Sequence, residues 1–119
     1  MGSGTPLTPA VLHILLALSG GEKHGYEIMR QVRLDSHDTV KIGTGTLYGS
    51  LKRMLAASLI EETGDRPDPA FDDQRRRYYR ATERGSRELA SELKRYRDVV
   101  SVARRRQPRR HASMLVVTT

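Results

Sequence analysis

The 119-residue chain contains no cysteine and no tryptophan, and Phe71 is its single phenylalanine. Without cysteine there is no disulfide scaffold, no thiolate nucleophile and no thiolate metal site. With aromatic residues at 5%, a flat ligand finds few stacking surfaces. No apolar run reaches the ~18 residues of a membrane span. The first residues lack a basic region followed by a signal-type apolar stretch, so the chain is expected to be cytoplasmic and without a membrane partner. There is no Gly-rich phosphate loop, no metal-ligand cluster and no nucleophile beside a base, so the expectation is a non-enzyme without cofactor or metal. Acids are missing from residues 104–119, which hold five arginines; the rest of the chain has 16 basic and 14 acidic residues. Most of the net charge of +7 therefore sits in the tail, a balance compatible with nucleic acid. A hydrophobic share of 37% supports one modest core. A small domain buries a smaller fraction of its surface than a large one and gains from burial against a partner.

What is present centres on residues 41–62, K-I-G-T-G-T-L-Y-G-S-L-K-R-M-L-A-A-S-L-I-E-E. At about 100° per residue, Leu47, Leu51, Met54 and Leu55 share one apolar arc of a short helix, with Thr44 as its expected cap. Thr46, Gly49, Lys52 and Arg53 lie opposite, with Gly45 and Ala56. That face is small, hydroxylic or basic and carries no acid. A helix entering the major groove needs such a surface, because carboxylates would be repelled by phosphate. An ordinary amphipathic surface helix has the same periodicity, so the flanking elements decide.

Thr8-Pro9 is a helix start, and the apolar run from Ala10 to Leu18 ends at Gly20-Gly21. His13 lies inside this run with no second ligand at helical spacing and reads as a tolerated, partly buried histidine. Residues 24–32, H-G-Y-E-I-M-R-Q-V, form a second helix. Residues 34–43 read as a loop; Asp35, Ser36, His37 and Asp38 have the letters of a hydrolase triad, but triads are assembled from distant segments. After the central helix, residues 59–63 read as a strand, 64–74 as a mixed-charge loop with Asp65, Asp68, Asp72 and Asp73, and 75–82 as a returning strand. Thr82-Glu83 caps a last helix whose apolar positions, Leu89, Leu93, Tyr96, Val100 and Ala103, make a heptad stripe over about two heptads. It can fold back on its own domain or pair with a second copy; pairing is favoured, because the first helix also has more apolar surface than two short neighbours cover.

The order helix, helix, helix, hairpin is that of a winged helix-turn-helix, giving a mainly α fold with a small β-hairpin and a long C-terminal helix. The expected divisions are a flexible lead or expression remnant over residues 1–7, a DNA-binding domain over 8–82, a dimerisation helix over 83–105 and a basic, then apolar, tail over 106–119. L-H-I-L-L-A-L at 12–18, H-G-Y-E-I at 24–28, G-T-L-Y-G-S-L-K-R-M at 45–54, L-I-E-E at 59–62 and R-R-Y-Y-R-A-T-E-R-G at 76–85 together resemble the PadR family of transcriptional regulators, in its short form with one C-terminal helix. The resemblance covers roughly residues 8–105.

The resemblance implies a homodimer joined through its first and last helices that represses genes by binding an inverted repeat in double-stranded DNA. It implies a third helix in the major groove, with Tyr48, Lys52 and Arg53 as DNA contacts and Arg75, Arg76 and Arg77 as wing contacts. The full candidate DNA-binding set is Thr44, Thr46, Tyr48, Gly49, Ser50, Lys52, Arg53, Arg75, Arg76 and Arg77. The candidate dimer interface is Leu12, Leu15, Leu89, Leu93, Tyr96, Val100 and Ala103. Thr44 stands where many members have proline or glycine, and Gly49 where many have proline. Members often respond to small aromatic or cationic molecules at the dimer centre, so a small-molecule effector is a possible partner; here Tyr96 is the sole aromatic on the heptad stripe and reads as interface core. The competing reading is a protein-interaction module that uses the heptad helix and has no operator.

Overall fold

Thr8 starts the first helix, α1 (Pro9–Leu18): its hydroxyl accepts the Val11 N–H at 3.2 Å and proline follows it. The computed structural model describes residues 6–68 and 71–107, and the side chains outside 65–75. Elsewhere in the chain come β1 (Lys23–His24), α2 (Gly25–Asp35), α3 (Thr44–Ala56), β2 (Ile60–Asp68), β3 (Phe71–Ala81) and α4 (Glu83–Arg106). The strands make one antiparallel sheet in the order β1-β3-β2, and the whole is a winged helix-turn-helix followed by a long helix.

The core forms where the apolar arcs of the first three helices meet the sheet. Ile14 and Leu15 of α1, Ile28 and Val32 of α2, and Leu47, Leu51 and Met54 of α3 are fully buried, with Ile60 and Tyr79 closing the sheet side. α1 supplies the centre, as its nearly all-round apolar sequence requires.

Four differences from the sequence reading have clear causes. First, Gly43, not Thr44, is the cap residue of α3; Thr44 is its first helical residue, and no side chain bonds to this helix end. Second, α2 runs three residues further than the periodicity indicated, to Asp35, because Gln31 donates to the Asp35 carboxylate at 2.9 Å. The turn beyond it is built from the supposed triad letters. Ser36 Oγ accepts the Val40 N–H at 3.0 Å, Asp38 pairs with Arg33 at 3.1 Å, and His37 and Asp38 take left-handed φ of 53° and 64°. Third, the expected loop over 64–74 is largely strand, paired from Asp65↔Arg77 to Asp68↔Phe71. A bulge between Glu62 and Gly64 re-aims Thr63, whose hydroxyl donates to Glu22 at 2.7 Å, and Gly64 adopts φ 123°. Fourth, β1 had no sequence signal: two residues cannot show alternation, yet Lys23 and His24 pair with Tyr79 and Tyr78.

α4 begins as expected, with Thr82 Oγ1 accepting the Gly85 N–H at 3.0 Å, and ends one residue later than predicted, at Arg106. It packs on α1 and β3. Leu89 is in the core and Leu93 lies against it. Glu92, which the heptad stripe omits, is only 2% exposed. Its carboxylate accepts the Leu7 N–H at 3.3 Å and pairs with Arg95. Leu7 is thus half-buried against α4 rather than part of a free lead. Beyond Leu93 the helix leaves the body, and Tyr96 and Val99 are 46% and 66% exposed. Three of the candidate interface residues are therefore already spent: Leu15 is fully buried, and Leu12 and Leu89 nearly so, within the chain's own core. Residues 1–5 of the expected lead and 108–119 of the expected tail lie outside the described residues.

Candidate nucleic-acid interface

The outward face of α3 is the surface the fold offers. Thr44, Gly45, Thr46, Lys52, Arg53 and Ala56 are exposed, and Gly49 is half-exposed among them. No residue of α3 is acidic. Its first turn combines a glycine cap with two threonines and a glycine, so backbone N–H groups and the positive helix end face outward with little side-chain cover. Lys52 is engaged by no acid among the described residues. Arg53 reaches back to donate to Ser50 Oγ at 3.3 Å. Ser50 is a correction to the candidate set. It lies 300° round from Leu47, on the core side, and is 0% exposed, so its role is to hold Arg53 rather than to face a duplex.

Tyr48 is half-exposed, at 47%, but does not project freely. Its hydroxyl end is tucked over Gly25, the first residue of α2. The H-G-Y-E-I motif builds this junction. His24 caps α2 by accepting the Glu27 N–H at 3.3 Å, and the Glu27 carboxylate accepts the His24 N–H at 3.1 Å, a closed capping box. The His24 ring meets Tyr78 edge-on at 5.3 Å, tying the α2 start to the sheet. Ile28 enters the core, and Tyr26 is left outside. Gly25 and His24 were not among the predicted site residues. The signal that could have found them is a glycine at a helix start beside a capping pair, three residues apart, that leaves the glycine free for contact.

At the wing root, burial pushes the Tyr79 hydroxyl above its ordinary pKa, and the Glu62 carboxylate and then the Tyr48 hydroxyl add to the rise. Glu62 is the cross-strand partner of Tyr79 at this root. On β3, Arg76 is half-buried and Arg77 exposed, as alternation demands. Arg77 stands 3.9 Å from Glu62 and Arg80 2.6 Å from Glu61, so acids of β2 already hold part of the wing's positive charge. The Arg75 side chain and the tip acids Asp65, Asp68, Asp72 and Asp73 lie outside the described residues.

The distal half of α4 carries the second feature. An open apolar face runs along Leu93, Tyr96 and Val100, rimmed by Arg97, Arg104 and Arg105. Val99, Val102 and Ala103 form a further apolar strip beside it. Among the described residues no cluster of His, Asp and Glu could hold a metal, and no helix is long and apolar enough to cross a membrane.

Comparison with known proteins agrees with this geometry. A PadR family transcription regulator from Clostridium difficile superposes with a TM-score of 0.67 at 28% identity, covering 80% of this chain and 94% of that one. A PadR-like transcriptional regulator from Bacillus cereus gives 0.63 at 26% identity, covering 78% and 85%. Bacillus subtilis PadR in complex with operator DNA gives 0.61 at 22% identity, covering 70% of this chain and 45% of that one, a likeness of fold. No curated protein sequence matches. The Transcriptional regulator PadR-like family matches residues 11–91, and its members are transcription regulators rather than enzymes. The chain belongs to the PadR-like family of transcriptional regulators.

Proposed function

We propose that this chain is a homodimeric repressor that binds an inverted-repeat operator with α3 in the major groove. The observation that carries the reading is the exposed, acid-free face of α3, where Thr44, Thr46, Tyr48, Gly49, Lys52 and Arg53 surround an uncovered helix start. Lys52 and Arg53 are more than two turns from that start, suited to phosphate or base edges, while Gly49 keeps the helix centre thin. Arg76 and Arg77 extend the basic surface along the wing, and Arg75 is included with them. The distal half of α4 supports the dimer: Tyr96, Val100 and Ala103, with Leu93 half-buried at the near end, offer an apolar stripe that the other described residues do not cover. Two heptads are short for a free coiled coil. The half-exposed residues of α1, Val11 and Leu16, are the available supplement. The dimer axis would set the two α3 helices about 34 Å apart, one turn of duplex.

Release by a small-molecule effector belongs to the same reading. Tyr96 is the one aromatic on the apolar face of α4, which a second copy would close into a site.

The test is selection of bound sequences from random duplex DNA, followed by titration of the winner against scrambled DNA at two salt concentrations. An inverted repeat bound two-to-one and retained at the higher salt is the expected result. Lys52→Ala or Arg53→Ala is expected to weaken it by about 1–3 kcal/mol where the residue reads a base. Binding of every sequence alike, lost with salt, would leave only non-specific phosphate contact. A monomer that associates only with a different protein would favour the interaction-module reading instead.

A further inference from the structure

Gly25 is glycine for no backbone reason. It is the first residue of α2 and is not among the glycines with positive φ, which are Gly21 and Gly64. Glycine in a helix is otherwise a cost. The reason lies in space. A Cβ at this position would stand 2.4 Å from Tyr48 Oη, 3.0 Å from Tyr48 Cζ and 3.3 Å from Leu47 Cδ2. The glycines on the outward face of α3 have no such neighbour: a Cβ at Gly45 meets nothing, and one at Gly49 meets only the Arg53 guanidinium at 3.6 Å. The notch at Gly25 therefore belongs to Tyr48.

Tyr48 is also the one aromatic side chain on the face of α3 proposed to meet DNA, and half of it is exposed. Its far end is held where α2, α3 and the wing root converge, close enough to Tyr79 for the two hydroxyls to influence each other. With the ring held there, its free edge and the Lys52 side chain one turn on share a line along the helix.

We propose that Gly25 is a positioning residue for DNA recognition: the space left by its missing side chain seats the hydroxyl end of Tyr48 and so fixes the tyrosine's direction at the groove-facing surface. This rests on the repressor reading above. An added methyl forces the oxygen away by about 1 Å to restore van der Waals separation. The group that yields is the end of a half-exposed side chain, so the ring swings outward while the backbone stays. The consequence falls on recognition before it falls on folding.

The experiment uses the full chain and the operator that the wild type selects from random duplex DNA. Dissociation constants, base preferences and melting temperatures are measured for Gly25→Ala, Tyr48→Ala and the double variant. Gly25→Ala is expected to bind about tenfold more weakly and to shift the preferred bases at the positions beside Tyr48. The double variant is expected to bind no more weakly than Tyr48→Ala alone, to within about twofold, because the notch has nothing left to seat. A Gly25→Ala protein with wild-type affinity and base preference overturns the proposal while leaving the repressor reading intact, as do losses that multiply in full. A wild type that selects no operator overturns both. Should Gly25→Ala alone fail to fold, a double variant that melts like Tyr48→Ala identifies the tyrosine as the clashing group and supports the notch. A double variant that also fails to fold assigns the site to Leu47 packing and overturns it.

Discussion

Replacing Gly85 by alanine sets helix propensity against packing, and the structure determines the sign. Gly85 lies in the first turn of α4, where an alanine gains about 1 kcal/mol in an unobstructed helix. Here a Cβ would stand 2.0 Å from the Leu59 carbonyl oxygen, 3.0 Å from its carbon and 3.2 Å from Leu15 Cδ2. The obstacle is backbone and cannot swing aside. That carbonyl accepts the Thr82 N–H at 3.0 Å, and Thr82 Oγ1 donates to the Ser58 carbonyl at 2.6 Å. Making room means lifting the start of α4 off this turn and losing both bonds, at about 1 kcal/mol each. Overpacking adds about 1–3 kcal/mol. After the propensity gain, the net loss is about 2–4 kcal/mol. At about 4 °C per kcal/mol for a chain of this size, the melting temperature falls by about 8–16 °C. Circular-dichroism melts and urea titrations of the two proteins measure it. A Gly85→Ala protein as stable as the wild type, or more so, would refute the close approach of α4 to Leu59.

Other substitutions read different parts of the fold. Gly49→Ala has open space apart from Arg53, so it is expected to raise stability by about 0.5–1 kcal/mol while weakening operator binding; a lower melting temperature would count against the open face. Glu92→Ala removes the acceptor of the Leu7 N–H and is expected to cost about 1–2 kcal/mol and to speed hydrogen exchange at Leu7; unchanged exchange there would rule out the contact. The folded Tyr79 holds its proton to a higher pH than the unfolded chain, so its contribution to stability is complete below the unfolded value of about 10 and is lost as pH rises through the folded one. Tyr79→Phe should show a smaller fall in urea midpoint between about pH 9 and pH 11, and equal falls in both proteins would contradict the raised value.

Helices were legible wherever a cap and a period agreed. Thr8-Pro9 and Thr82-Glu83 each start one as read, and the arc of Leu47, Leu51 and Met54 is the buried side of α3. The misses share a cause: a partner that the local period does not reveal. Ser50 reads as a small polar residue suited to a groove, but its angle places it against the core, where Arg53 satisfies it. Glu92 lies off the heptad stripe, and its burial follows only when the Leu7 amide is brought to it across 85 positions. β1 exists because β3 passes beside it, and the strands beyond residue 64 exist because each pairs with the other despite prolines and acids that favour a loop. On the candidate interface, the exposed Thr46, Lys52 and Arg53 followed from helical angle alone. The seating of Tyr48 over Gly25 did not, since those residues lie on different helices.

The positions of α3 and α4 depend on one short turn. Ala57 ends α3, Ser58 takes a left-handed φ of 61°, and the Leu59 N–H donates to the Met54 carbonyl at 2.9 Å, so Leu59 is bonded to the helix it leaves. The same residue's carbonyl accepts from Thr82, and its oxygen lies against Gly85. α3 and α4 are thus joined through the two ends of one peptide neighbourhood, with no flexible side chain between them. In a dimer built on the distal half of α4, this joint, rather than the loop before α3, fixes the direction of the groove-facing helix relative to the symmetry axis. The loop side is held separately, by the capping box of His24 and Glu27 and by Tyr48 over Gly25. Each end of the proposed reading helix is therefore located by a glycine that admits a neighbour, while on its exposed face Gly45 meets nothing among the described residues and Gly49 only the end of Arg53.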